Sequence, residues 1–232
     1  MTPRRALLIF AKVPRPGTVK TRLQSVVTPE QAAELHEACI SDTLRLARDV
    51  ARCDVLVFSA GGTAYFAKRR NRKMRVFPQR GANLGERLEN ACRKVFRMGD
   101  RKVVVIGTDS PWMGTECLRN AFASLARNDM VLGPTADGGY FLLGLTKFVP
   151  EVFRGISWST EKVCQQTLRA AQRVELSTKL LAKEFDLDRP DDLLRAGKML
   201  KKNPLRSPAL AKAIQRITTS EQYSALLDPT SA

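Results

Sequence analysis

The chain has 232 residues, 44% of them hydrophobic and 27% charged, a length of about one to one and a half typical domains. A chain of this size buries about 70 to 75% of its unfolded surface, so general disorder and dependence on a disulfide or structural metal are excluded. Its 39 Lys and Arg against 23 Asp and Glu leave a formal net charge of +16, which attracts phosphate-rich partners and carries no information about fold.

Six short β-rich runs recur between helix-patterned stretches: residues 6–11, 54–60, 74–78, 102–107, 130–133 and 140–145. That alternation predicts an α/β fold with a mostly parallel sheet flanked by helices. The opening segment has two arginines and then a single short apolar run, too brief for a signal sequence or a membrane span, so a cytoplasmic protein is expected. The first helix is marked by Thr28 as N-cap, Pro29 at the first helical position and Gln31 three residues after the cap. Apolar Ala32, Leu35, Cys39, Leu46 and Val50 follow at helical spacing. His36, the only histidine, falls in this helix and reads as an ordinary surface or half-buried side chain. With one imidazole, Ser/His/Asp hydrolysis, His-based zinc sites and paired-His relays are excluded, and carboxylates or lysines must do any acid/base work. The five cysteines are scattered without a C-x-x-C pair and read as buried, reduced thiols. Further helices are predicted over 84–98, 115–127, 160–171 and 190–200. After residue 203 the chain turns basic and helix-like, an appendage over 204–232 whose last residues, 228–232, should fray.

In an open parallel sheet, ligands bind beyond the carboxyl ends of the strands, and four segments there carry chemistry. The first, Lys12 to Leu23, packs Lys12, Arg15, Lys20 and Arg22 around two prolines and Gly17. That suits a polyphosphate, although the Walker spacing is absent; a solvated basic loop is the alternative. The second, Gly107-Thr108-Asp109-Ser110-Pro111, follows the most hydrophobic strand. Asp109 there is a candidate ligand for magnesium, which takes one or two protein carboxylates and fills the rest of its shell with water and phosphate oxygens, or else it caps the next helix. The third, Gly133 to Tyr140, is a low-bulk turn. Asp137 could deprotonate an attacking hydroxyl, and Gly138 and Gly139 could let a ligand lie on bare backbone, or the three form only a hairpin. The fourth, Phe185 to Leu193, alternates Asp186, Leu187 and Asp188 before Pro190, so Asp188 either binds a metal or caps the following helix.

Together with Gln79 to Leu88 (QRGANLGERL) and Ile156-Ser157-Trp158-Ser159, these segments resemble a bacterial family of GT-A-like glycosyltransferases, sometimes linked with arsenosugar or selenium-related pathways. The resemblance spans about residues 8–193 and departs at Arg189, where the family more often has threonine. The skeleton is also similar to 2-phospholactate-type guanylyltransferases, which share a Lys-Ser/Thr-Arg-Leu element and a closing Asp-x-Asp-x-Pro turn. Both imply the nucleotide-diphospho-sugar transferase (GT-A, Rossmann-like) fold in one domain over residues 1–203, with the nucleotide over the first half of the sheet and the acceptor over the second. By that resemblance Lys12, Lys20 and Arg22 face phosphates, Gln79, Gly85 and Glu86 line the nucleotide, and Asp109 with Asp188 hold Mg2+ or Mn2+. Asp137, Trp158 and Ser159 then fall on the acceptor side with Gly138, Gly139 and Tyr140. The Asp-Gly-Gly-Tyr run at 137–140 favours sugar transfer, since the guanylyltransferases tend to carry a Gly-Thr-Asn type sequence there. The expected partners are a nucleotide sugar, or a nucleoside triphosphate if the reaction is nucleotidyl transfer, and a small-molecule acceptor. The basic run at 68–75 lacks the interleaved aromatics of a nucleic-acid surface, so nucleic acid is not expected.

Overall fold

A computed structural model describes residues 4–50, 53–69, 74–99 and 102–218. In chain order the elements are β1 (Arg5–Lys12), α1 (Pro29–Arg48), β2 (Asp54–Ala60), α2 (Ala64–Ala67), β3 (Met74–Pro78), α3 (Leu84–Arg97) and β4 (Lys102–Ile106). They continue with α4 (Gly114–Ser124), β5 (Met130–Pro134), β6 (Tyr140–Leu145), α5 (Val163–Arg173), β7 (Thr178–Leu180), α6 (Pro190–Lys202) and α7 (Pro208–Thr218). The chain falls into two compact units: residues 1–13, 47–107 and 115–185 form unit 1, and residues 14–46, 108–114 and 186–232 form unit 2.

Unit 1 holds a seven-stranded sheet of order β3-β2-β1-β4-β6-β5-β7. All neighbouring strands run parallel except β6, which is antiparallel to both β4 and β5. The six expected strands are all present. The seventh, β7, has only three residues, too few for a period-2 pattern to be read. One alternation of the sheet, including Leu8, Leu56, Val105, Leu132 and Leu143, packs in a core with Leu88, Cys92 and Val95 of α3 and with Ala171 of α5. The other alternation, including Leu7, Ile9, Val57, Val104 and Leu142, is equally buried, as strands covered on both faces must be. Helix α5 begins at Val163, later than the expected residue 160, because Thr160 is spent on a turn in which its hydroxyl donates to Ser157 O (2.7 Å). All five cysteines are free thiols; Cys39 and Cys92 are buried as expected, whereas Cys53, Cys117 and Cys164 are only half-buried.

Unit 2 is built on α1, α6 and α7. The predicted capping box of α1 is present: Gln31 N donates to Thr28 Oγ1 (3.2 Å) and Thr28 N to Gln31 Oε1 (2.9 Å). Helix α7 contributes Leu210, Ala213, Ile214 and Ile217 to the buried set. Its first turn is capped from α1, where the buried Asp42 carboxylate accepts from Ala209 N (3.2 Å) and Leu210 N (2.9 Å). Residues 204–218, expected as an appendage, are thus built into this unit. The fraying expected at 228–232 and the basic residues 70–73 lie outside the described residues. Among the described residues no helix is long and apolar enough to cross a membrane.

Candidate functional site

In unit 2 the basic loop first makes a turn in which Thr18 donates its N–H (3.1 Å) and its hydroxyl (2.9 Å) to Arg15 O, with Gly17 at φ +74°. Lys20 then adopts the left-handed conformation, φ +49°, immediately before a 310 turn over Thr21–Ser25 that buries Leu23. The twist sends the Lys20 side chain inward. Its ammonium donates to Asp109 Oδ1 and to Leu187 O, and only 3% of the side chain is exposed, against 47% for Asp109.

Three stretches distant in sequence meet here. Leu187 N donates to Asp109 O at 2.8 Å, Ser110 Oγ donates to Asp186 Oδ1, and Arg22 Nη1 pairs with Asp188 Oδ2. The alternation read at 186–188 is borne out in that Leu187 is fully buried while its neighbours' carboxylates engage polar partners. Asp188 does not cap α6. Asp192 does so by reaching back to accept from Arg189 N (2.7 Å) and Asp188 N (3.2 Å). Likewise Asp109 is drawn to Lys20 instead of the start of α4.

Electrostatics follow from this arrangement. Burial pushes the Asp109 carboxyl up, but the Lys20 ammonium and the His36 imidazole outweigh it and hold the group below its ordinary value. Burial pushes Lys20 down, and the Asp109 carboxylate more than reverses that, so the ammonium stays charged. His36 is buried, more deeply than the surface or half-buried side chain its sequence context suggests; a helical pattern cannot reveal a carboxylate that approaches from 73 residues away. Cys39 sits in the same interior, its thiol pushed up to about 12 by burial, and is therefore inert.

Unit 1 carries the remaining candidates. Lys12 ends β1 and is exposed. Just past β3, Gln79 donates from Nε2 to Phe58 O (2.9 Å) and Ala11 O (3.2 Å), which fixes its amide across the ends of β1 and β2. Glu86 closes the first turn of α3: its Oε2 accepts from Ala82 N (2.8 Å), and its own N–H donates to Asn83 Oδ1 (2.9 Å). Gly85 is buried under an indole, and a Cβ there would fall 2.1 Å from Trp158 Nε1. Trp158 donates to Phe153 O (3.3 Å) and meets Tyr140 edge to face at 6.3 Å. The register of β4 with β6 pairs Ile106 with Leu142, so Tyr140 lies beyond the carboxyl end of β4. Its hydroxyl points inward and has no hydrogen-bond partner among the described residues. Asp137 Oδ1 accepts from Thr135 Oγ1 (2.5 Å) and Gly139 N (3.1 Å), an Asx turn; Oδ2 takes no hydrogen bond among the described residues. Gly138, at φ +88°, is packed against Glu161, whose carbonyl oxygen lies 2.1 Å from where a Cβ would stand. Ser159, also at positive φ (65°), is exposed.

Among the described residues no three His, Cys, Asp or Glu side chains gather as a metal cage. Asp109 and Asp188 each give one oxygen to a cation of the chain, Lys20 and Arg22, and among the described residues Asp109 Oδ2 and Asp188 Oδ1 have no hydrogen-bond partner; carboxylate oxygens of this kind are the donor chemistry a magnesium-type ion takes, one or two at a time. Sequence reasoning passed over Ser110, the Leu187 carbonyl and Asp192, which position these groups. Ser110 and Asp192 stand inside the motifs already singled out, the one signal that could have marked them.

The sequence profile of DUF2064, described as uncharacterized proteins conserved in bacteria, matches residues 43–160, just over half of the chain. The chain belongs to the DUF2064 family. This DUF2064 protein is similar over 97% of its length to a crystal structure from Desulfovibrio desulfuricans G20, provisionally assigned as a nucleotide-diphospho-sugar transferase, with 30% identity, 94% of that chain covered and a TM-score of 0.81. It also resembles 4-diphosphocytidyl-2C-methyl-D-erythritol synthase from Anaerococcus prevotii DSM 20548, at 10% identity over 85% of this chain and 96% of that one, TM-score 0.58. A third likeness is CMP:2-keto-3-deoxy-manno-octonic acid synthetase complexed with CTP, at 12% identity over 85% and 99%, TM-score 0.56. No curated protein matches. The DUF2064 chain thus has the nucleotide-diphospho-sugar transferase fold.

Proposed function

We propose that this protein transfers a glycosyl group from a nucleotide-diphosphate sugar to a hydroxyl or similar nucleophile of a small acceptor, releasing the nucleoside diphosphate. The reading rests on the convergence in unit 2 of Asp109 with Lys20, 89 residues apart, and of Asp188 with Arg22, 166 apart. In this reading Lys20 positions Asp109 and the 186–188 segment, and Arg22, with Arg15 and Lys12, meets phosphate oxygens. Asp109 Oδ2 and Asp188 Oδ1 would hold Mg2+ or Mn2+, which when bound would supply charge neutralisation for a diphosphate. Opposite unit charges 4 Å apart attract by about 4 kcal/mol at an effective dielectric of 20, an upper bound because desolvation opposes it. Gln79, its Nε2 committed to backbone carbonyls, offers Oε1 to the nucleotide, where Glu86 shapes the loop and Gly85 makes room for Trp158. Asp137 Oδ2 takes the proton of the acceptor, and Gly138, Gly139, Tyr140, Trp158 and Ser159 shape the acceptor side.

A second reading is nucleotidyl transfer, in which a nucleoside triphosphate is joined to a phosphorylated acid and pyrophosphate leaves. It is favoured by one likeness in fold, a synthetase that holds CTP. The released product separates the two: nucleoside diphosphate supports sugar transfer and pyrophosphate supports nucleotidyl transfer. In either case Asp109→Asn and Asp188→Asn should abolish turnover and metal-dependent nucleotide binding in folded protein. Survival of both activities in both variants would reject the assignment. Asp137→Asn should lose turnover while keeping nucleotide binding.

A further inference from the structure

Unit 1 contains a groove of about 660 Å3 between the β2–β3 side of the sheet and α3, within the volume range of small-ligand sites, about 300 to 1,000 Å3. Its floor is apolar: Phe58 and Phe77 stack at 5.5 Å, and Met98 and Ala91 extend it. Its walls are cationic and include no carboxylate: Arg80, Arg87, Arg93, Lys94 and Arg97 all line it. Two of these are held by the protein itself, Arg93 by Glu89 and Arg87 by Gly81 O at 3.0 Å. Arg80, Lys94 and Arg97 are exposed and have no ion pair among the described residues; Lys94 Nζ rests 4.7 Å above the Phe77 ring.

Spacing tells what such a row would hold. Arg87, Lys94 and Arg97 follow one face of α3, ten residues end to end, or about 15 Å at the rise of a helix. Like charges along one wall repel one another, and an anion that spans them relieves the repulsion. A single phosphate would reach one or two of the cations, whereas a chain of phosphates reaches all of them, with guanidinium forks suited to its oxygens.

We propose that this groove binds an oligophosphate chain, through Arg80, Lys94 and Arg97, with Arg87, held to Gly81 O through its Nε, extending the row along α3. The +16 charge of the chain draws such anions toward the molecule, and the groove gives them a defined seat. The proposal does not depend on the transferase reading, since none of these three side chains belongs to the proposed site.

The test is binding of sodium tripolyphosphate to the full chain at about 0.15 M salt, where exposed charges more than about 8 Å apart are screened. Calorimetry is combined with hydrogen exchange read at residues 87–98. The expected result is saturable binding with protection of that segment. In Arg80→Ala/Lys94→Ala/Arg97→Ala the affinity of this site should fall about 100-fold or more, at about tenfold per lost charged hydrogen bond. All three side chains are exposed, so the triple variant should fold; Lys94→Glu alone, expected to weaken binding at least tenfold by the same rule, keeps the test valid if it does not. ATP is the second arm. Equal affinity means that the phosphate chain alone is read, and tighter binding, still lost in the variants, means that a nucleotide is the natural ligand; both uphold the site. No protection of 87–98 by either probe at about 1 mM, the weak end of specific affinity, or protection unchanged in the variants, overturns it. So does protection by an eight-residue oligothymidylate without any by tripolyphosphate, which would make the groove a nucleic-acid surface.

Discussion

Lys20 and Asp109 form an unequal pair. The lysine side chain is 3% exposed and the aspartate 47%, so removing one partner leaves very different orphans. Asp109→Ala leaves a buried ammonium whose other acceptor is the Leu187 carbonyl, and should cost about 3 kcal/mol. Lys20→Met leaves a carboxylate that water can reach and should cost less, about 1 kcal/mol. Chemical denaturation of both variants checks the order, and the reverse order would mean that Lys20 is not buried in solution. The pair also sets a pH window. Asp109 is held below its ordinary 3.8, so its contribution is present above that value and is lost as pH falls through the lower folded value. Lys20 is held above 10.5, so its contribution is present below that value and is lost as pH rises through the higher folded value. The stability difference between the wild type and Asp109→Ala should therefore be flat across neutral pH and shrink at both extremes. Gly85 is a second residue whose identity is dictated by a neighbour. A Cβ 2.1 Å from the Trp158 indole nitrogen must displace the ring, so Gly85→Ala should lose about 1 to 3 kcal/mol and shift the Trp158 fluorescence. An unshifted spectrum would show that the indole does not pack there.

The elements differ in how openly they announce themselves. Helix α1 carries its cap, its Pro at the first position and its apolar spacing within one unbroken stretch of chain, and so was legible in sequence. The start of α6 was legible too, but not which acid serves it: Asp188 precedes the N-cap residue Arg189 and pairs with Arg22, whereas Asp192, at the third helical position, turns its carboxylate back to Arg189 N. Helix α7 shows the opposite case. Its sequence is basic and amphipathic, and its N-terminal partner, Asp42, lies 167 residues away, so it read as a helical appendage. The buried Asp42 carboxylate receives two N–H groups at the start of α7, and Asp42→Ala should detach that cap at a cost of about 1 to 2 kcal/mol. Hydrogen exchange would then report faster opening over residues 208–218 than over α6, whereas uniform acceleration of both helices would show that they open together.

On the scale of the whole molecule, the strands could be read because buried β-branched runs between helical stretches have few alternatives, and the carboxyl-edge rule then directs attention to 109, 137 and 188. What could not be read was pairing: the placement of β6 between β4 and β5, the inward turn of Lys20 out of four similar cations, and the closeness of His36 to Asp109 all depend on contacts between distant segments. A ligand measurement tests the assembled reading most directly. A compound that binds only the folded chain at 100 times its dissociation constant adds about 2.7 kcal/mol to the unfolding free energy, an upward shift of about 5 °C or somewhat more for a chain of this length. A nucleoside diphosphate with Mg2+ should produce a shift of that order and a smaller one with a chelator present. In Asp109→Asn the two conditions should coincide, because the carboxylate oxygen assigned to the ion is gone while the basic loop remains. A full metal-dependent increment in that variant would remove Asp109 from the diphosphate site, and the absence of any shift in the wild type with diphosphates of all the common bases would remove nucleotide handling itself.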